Sequence, residues 1–251
     1  MSKRVNLKAI HFDGDASLPG GVDTANSDLV TILDQDIFTW SDSTSMTTGT
    51  NHKPMSISCW FNPSVIEAGN RGVLVTKFSH SDVSGNGDRA TEWLLWVTDI
   101  GRLQYALYDS AVHTTVNKLV TTTARVVSAN QWQHVVVTFS GNPTIDPPST
   151  DESGNFASST TGTGNFGIKI YYNGQEPAMQ TDKTVHGADP GYVITRNTKG
   201  RVSIGAADWD REGGTPDHFL TLFEGKIADT CIFNRELSAA EVQEIYNGGK
   251  V

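Results

Sequence analysis

Asp208, Asp210 and Glu212 alternate with Trp209 and Arg211 in one short run. On an extended strand that spacing sets three carboxyls on one face. Retaining glycoside hydrolysis uses such an arrangement, a nucleophile and an acid about 5–5.5 Å apart. The run follows an apolar strand pattern, Arg201–Ala206, and leads into Gly213-Gly214. It therefore reads as a loop, and three solvated acids are expected there rather than a catalytic set. Trp209, between two of those acids, is the residue expected to meet a ligand or partner, because an exposed indole stacks on a sugar ring or anchors a protein interface.

Other chemistries find less support. The seven histidines (His11, His52, His80, His113, His134, His186, His218) show neither H-x-x-x-H nor H-E-x-x-H spacing, which argues against zinc. No serine stands in G-x-S-x-G, and neither cysteine is placed with a His and an Asp. Gly162-Thr163-Gly164 and Gly213-Gly214 lack a following Lys-Ser/Thr, so a phosphate cradle is not expected. Cys59 and Cys231 lie far apart in sequence; a disulfide is open, and two reduced thiols are favoured. Trp60, Trp93, Trp96 and Trp132 fall in strand patterns, where tryptophan is expected in a core. No catalytic residues are assigned, and a non-enzyme is expected.

The elements that must position these groups are strands. Period-2 alternation bounded by Gly, Asn, Asp and Pro predicts strands over Ala9–Phe12, Met55–Asn62, Gly72–Phe78, Glu92–Thr98, Arg102–Asp109, Gln131–Ser140, Gly167–Asn173, Arg201–Ala206 and Gly225–Phe233. Asn173-Gly174 is a hairpin signal. Three polar stretches, near 17–36, 141–165 and 175–200, read as long loops, and loops carried on a rigid scaffold are where binding concentrates. A length of 251 residues suits one large sandwich spanning 1–251. The net charge of −9 argues against nucleic acid, which calls for a basic footprint, and no apolar run approaches membrane-spanning length.

The run Leu222–Val251 reads as a final strand, an Asn-Arg turn and one short helix. Ser238 and Glu241 stand as a capping box, Leu237 and Val242 as a hydrophobic staple, and Gly248 as the stop. Together with MSISCWFNP, EWLLWV, WQHVVVTF, IKIYYNG and RVSIGA, this run resembles LamG-like (concanavalin A-like) jelly-roll domains, over most of the chain from Met55 onward plus Ile10–Gly14. The resemblance implies an all-β, two-sheet antiparallel jelly-roll sandwich with one short C-terminal helix. It also implies a structural calcium, for which Asp13, Asp15, Asp208, Asp210 and Asp229 are candidate ligands; no other cofactor is required. Where the family often has two consecutive acids in the last strand, this chain has Ala228-Asp229. His134 falls at a family position expected to make a structural hydrogen bond.

The segment Ser45–Pro63 resembles versions of the domain found in tailed-phage structural proteins. That resemblance implies a non-catalytic virion protein, a capsid decoration or a fibre- or tail-associated subunit. Its partners would be other virion proteins and further copies of itself as a homo-oligomer. The N-terminus alternates like a strand and lacks the apolar stretch of a signal peptide, which fits synthesis in a host cytoplasm and residence in a virion. The alternative is a glycan-binding lectin or adhesion module at an extracellular surface, and the third reading is a polysaccharide hydrolase.

Overall fold

The computed structural model describes residues 9–13, 30–33, 35–40, 52–67, 71–79, 90–108, 117–141, 167–184, 200–207 and 222–248. Its strands are β1 (Ile10–Asp13), β2 (Val30–Ile32), β3 (Met55–Pro63), β4 (Gly72–Ser79), β5 (Ala90–Val97), β6 (Leu103–Tyr108), β7 (Asn117–Thr122), β8 (Gln133–Phe139), β9 (Ile168–Tyr172), β10 (Met179–Thr184), β11 (Val202–Ile204) and β12 (Glu224–Phe233). A 3₁₀ turn spans Asp36–Phe38, and α1 spans Ala239–Gly248.

The strands form two antiparallel sheets, a five-stranded one ordered β1-β12-β3-β8-β9 and a seven-stranded one ordered β10-β7-β6-β5-β4-β11-β2. This is the two-sheet jelly-roll sandwich the sequence pattern predicts, with one short C-terminal helix. Alternation explains the core between the sheets. Ile57, Cys59 and Phe61 on β3, Leu95 and Val97 on β5, and Val135, Val137 and Phe139 on β8 all point inward and are buried. Trp40, fully buried, packs its ring 5.3 Å from Phe139, 5.4 Å from Tyr105 and 6.1 Å from Trp93. Each such side chain contributes about 1.5–3 kcal/mol through area removed from water.

Two register shifts decide which side chains of the seven-stranded sheet face outward. On β4 the pairing passes from Val73↔Trp96 to Val75↔Leu95. Leu74 is the extra residue, so Leu74 and Val75 both join the inner core while Val73 faces out. On β5 the pairing passes from Lys77↔Trp93 to Phe78↔Thr91, leaving Glu92 as the extra residue. Its carboxylate meets Lys77 Nζ at 2.7 Å with both side chains fully buried. Lys77 also donates to Thr39 Oγ1 at 2.9 Å, and Trp93 Nε1 donates to the Phe38 carbonyl at 3.0 Å. These bonds tie the segment carrying Trp40 to the sheet.

Parts of two expected loops are strands. β2 lies inside the stretch 17–36, and β10 lies inside 175–200. Both are edge strands; β2 is only three residues long, and β10 (MQTDKT) is polar because an edge need bury little. β7 (NKLVTT) is a further strand that alternation does not reveal. Asn173 and Gly174 both have positive φ, 50° and 79°, as a type I′ turn demands. Tyr172 and Gln175 close it with reciprocal backbone bonds. The next strand, β10, then joins the other sheet, so this turn opens a corner instead of a long hairpin. Asn173 Oδ1 also accepts the His134 backbone N–H at 2.9 Å. Asn173→Ala is expected to cost about 1–2 kcal/mol, the left-handed penalty for an ordinary residue, readable by denaturant unfolding.

The C-terminal helix starts as the capping box requires. Ser238 N donates to Glu241 Oε2 at 2.9 Å, and Glu241 N donates to Ser238 Oγ at 3.3 Å. The Ser238 backbone N–H and hydroxyl, each 2.9 Å from Glu241 Oε2, hold the Glu241 carboxyl below the usual range. Leu237 and Val242 are both buried against Val136 and Tyr171, so the helix lies on the outer face of the five-stranded sheet. That explains why β3, in the middle of the sheet, is buried on both of its faces along almost its whole length.

Candidate functional site on the outer face of the seven-stranded sheet

The two outer faces differ in what covers them. On the five-stranded sheet, Ser58, Trp60 and His134 lie under α1. Ser58 Oγ and His134 Nε2 are 2.9 Å apart, the Trp60 ring lies 4.9 Å from that of His134, and Tyr246 of the helix stacks on Trp60 at 5.7 Å. A serine held by a histidine has the outline of an activated nucleophile. Here it lacks the other requirements. His134 Nδ1 has no hydrogen-bond partner, so nothing orients the ring as a base. Ser58 and His134 are 2% and 0% exposed, which leaves a substrate no approach. Burial lowers the His134 pKa to about 4, so the imidazole stays neutral and serves as a structural hydrogen-bonding group. The sequence resemblance expects that bond; alternation alone, with Ser58 and His134 on adjacent strands, does not announce it.

On the seven-stranded sheet the outer face is an apolar floor of Val73, Leu94, Trp96, Ala106, Tyr108 and Ala207. Trp96 keeps 7% of its surface exposed, and its indole Nε1–H has no hydrogen-bond partner. An unpaired buried donor costs about 1–3 kcal/mol, and this one, like Ser58 and His134, is closed to solvent. Beside the floor, Gln104 Nε2 donates to Thr121 Oγ1 at 2.9 Å. Burial pushes the Tyr108 hydroxyl up to about 12, against the opposing influence of Arg71. Trp60, Trp93 and Trp96 are all buried, as expected of strand tryptophans; Trp93 lies between the sheets, whereas Trp60 and Trp96 occupy the two outer faces.

Of the residues singled out by sequence, Asp15, Asp208, Trp209 and Asp210 lie outside the described residues. Ala207, the last described residue before them, belongs to the outer-face floor. β1 does pair with β12, but Asp13 stands opposite Glu224. Asp229 is five residues further on, roughly 15 Å at strand spacing, in left-handed backbone (φ 50°) where β12 bulges against β3. Among the described residues no group of three or more His, Cys, Asp or Glu side chains could hold a metal. Both cysteines are free thiols, Cys59 buried and Cys231 exposed. No described helix is long and apolar enough to cross a membrane.

Residues 35–146 match the Laminin_G_3 family model, the concanavalin A-like lectin/glucanases superfamily. The fold is concanavalin A-like. No curated protein sequence matches the chain. Among solved structures, the binding domain of Paraclostridial Mosquitocidal Protein 1 superposes with a TM-score of 0.51 at 14% identity, over 97% of this chain and 44% of that one. The ligand binding domain of Botulinum neurotoxin serotype D, in complex with N-acetylneuraminic acid, gives 0.48 at 15% identity, over 88% and 40%. The Ruminococcus gnavus IT-sialidase CBM40 bound to α2,3-sialyllactose gives 0.44 at 14% identity, over 77% and 83%. This chain spans about two fifths of the toxin binding domains it matches. At these identities the likeness is one of fold.

Proposed function

We propose that the protein is a non-catalytic carbohydrate-binding module whose ligand lies on the outer face of the seven-stranded sheet. The match of residues 35–146 to the concanavalin A-like lectin/glucanases superfamily carries this reading, and the aromatic side chains of Trp96 and Tyr108 single out this face. Carbohydrate recognition needs this combination, an aromatic or apolar surface under the ring and fixed donors for its hydroxyls. The superfamily match over residues 35–146 supports a lectin-like use of the fold, although fold alone does not assign function. Ser58–His134 is closed off under α1, so the hydrolytic alternative gains no support from it.

A glycan array followed by calorimetry tests the reading. Wild-type protein is expected to bind at least one glycan class at micromolar to millimolar strength. Trp96→Phe keeps the ring and removes the donor; it is expected to weaken binding roughly tenfold, the worth of one buried hydrogen bond. An array without a single binder, or full binding by the Phe variant, contradicts the assignment.

A second reading concerns where such a module works. The likeness of Ser45–Pro63 to tailed-phage structural proteins favours a subunit of a virion, as a capsid decoration or a fibre or tail component that self-associates. Mass spectrometry of purified particles tests it: the chain at stoichiometric abundance supports the virion role, and its absence from particles that contain all other structural proteins rejects it.

A further inference from the structure

α1 and the strands beneath it are held in place by different means. The helix has ten residues, Ala239–Gly248, too few to persist alone in water. It and its lead-in meet the sheet through side chains: Leu237 and Val242, buried with Val136 and Tyr171, and Tyr246, stacked on Trp60 at 5.7 Å and 18°. β3, by contrast, is paired on both sides, with β12 and with β8. The His134 backbone is pinned as well. Its N–H donates to Asn173 Oδ1 at 2.9 Å, and its carbonyl accepts the Asn173 N–H at 2.8 Å.

The His134 imidazole is enclosed between these two layers. Trp60 on β3 lies 4.9 Å from the ring and Tyr246 on α1 lies 6.0 Å from it. Nε2 faces Ser58 Oγ at 2.9 Å, whereas Nδ1 has no hydrogen-bond partner. A neutral ring therefore leaves one nitrogen unsatisfied. A protonated ring carries an additional N–H and a charge, with neither an acceptor nor water at Nδ1. No charged group offsets this among the described residues. β3 brings Ser58 and Trp60, the turn after β9 brings Asn173, and α1 brings the phenol of Tyr246. Asp229 acts on the Cys231 thiol of β12, and Glu176 and Glu236 act on the Tyr171 hydroxyl. None of them acts on the imidazole, which burial alone lowers from 6.5 to about 4. The faces of Trp60 and Tyr246 attract a cation, but they also shut out water, and the exclusion wins.

We propose that α1 is an acid-released cover: a proton taken up by His134 lifts the helix off the five-stranded sheet while the sandwich stays folded, and opens Ser58, Trp60 and the imidazole to solvent. Lifting α1 hydrates Nδ1 at the loss of a few side-chain contacts. Moving β8 instead would break the ladders to β3 and β9. The proposal does not depend on the ligand face assigned above.

The pH window follows from the two states. Under the helix the ring takes a proton only near pH 4, and once the helix is lifted it does so near 6.5. Opening is therefore favoured by roughly tenfold per pH unit through the middle of that window, and is level above and below it. Glu241 in the capping box titrates too, but its carboxyl is held below 4.5, so its contribution is complete above that pH.

Amide hydrogen exchange read by NMR, corrected for intrinsic rates, tests the proposal. The Ile245 and Tyr246 amides are expected to exchange through an opening less costly than global unfolding, with lower protection than Val135–Val137 on β8 at every pH. That protection is expected to fall roughly fiftyfold from pH 7 to 4.5. His134→Gln is expected to lose the fall and Glu241→Gln to keep it. Equal protection of α1 and β8 throughout would mean that the helix leaves only with the whole fold, and overturns the proposal. So does protection of α1 that is constant with pH, or a fall that survives His134→Gln. The first two outcomes are read on the wild type and decide the matter even where the His134 variant does not fold.

Discussion

Replacing Lys77 by methionine is expected to destabilise the protein by about 3–5 kcal/mol, the cost of leaving a buried charge unpaired. The Lys77–Glu92 contact is 2.7 Å and neither side chain touches solvent. Removing the ammonium strands the Glu92 carboxylate in a low-dielectric site and withdraws the donor from Thr39 Oγ1. That donor helps hold the segment leading to Trp40, whose ring fills the space between Trp93, Tyr105 and Phe139. The pair also stands at the β5 register shift that fixes which face Leu94 and Trp96 occupy. The double variant Lys77→Met/Glu92→Leu is expected to recover a large part of the loss, since an apolar pair of similar volume avoids the desolvation cost. Guanidinium unfolding of wild type, single and double variants measures this. A single variant within 1 kcal/mol of wild type, or a double variant worse than the single, would show that the charges contribute little there.

The second large effect is on acid stability. The His134 pKa is lowered by burial from 6.5 to about 4, and a protonated unfolded chain is therefore favoured as pH falls. Above pH 6.5 both states leave the ring neutral, and the native state keeps its full stability. Between 6.5 and about 4 the unfolded state binds the extra proton, so stability declines with falling pH. Below about 4 this residue adds no further slope. The window corresponds to roughly 3 kcal/mol. His134→Gln removes the titration and keeps an amide to face Ser58 Oγ. The unfolding free energies of wild type and variant are expected to converge by about that amount as pH falls from 7 to 4, after allowing for a constant offset. Parallel pH profiles would show that the ring is not desolvated, and would reopen Ser58–His134 to solvent and to chemistry.

How much of this was legible depends on how strongly a residue's neighbours constrain it. β3, β8 and β12 combine clean alternation with high apolar content, because each is a central strand of a covered sheet, and the pattern alone places them. The capped helix was equally legible: Ser238 and Glu241 act locally, within one turn, and need no tertiary context. β2, β7 and β10 were not, because they are short or polar and depend on pairing with strands distant in sequence. The outer-face tryptophan was readable in principle. Trp93 and Trp96 are three residues apart in ATEWLLWV, an odd separation that puts them on opposite faces of a strand, so one of the two could not belong to the inner core. Lys77 and Glu92 also left a trace, opposite charges inside two consecutive apolar strands. What alternation could not supply was the register: Leu74 and Glu92 are the extra residues of two bulges, and bulges are set by cross-strand pairing.

The proposed ligand meets the Trp96 face of the seven-stranded sheet. Its most direct test follows the six tryptophan indole N–H resonances by nitrogen-edited NMR while the best oligosaccharide from the array is titrated in. The Trp96 resonance is expected to shift with the binding isotherm, while that of Trp60, stacked on Tyr246 beneath α1, stays where it is. Saturable binding with Trp96 unmoved, or with Trp60 responding in its place, would put the ligand on another face.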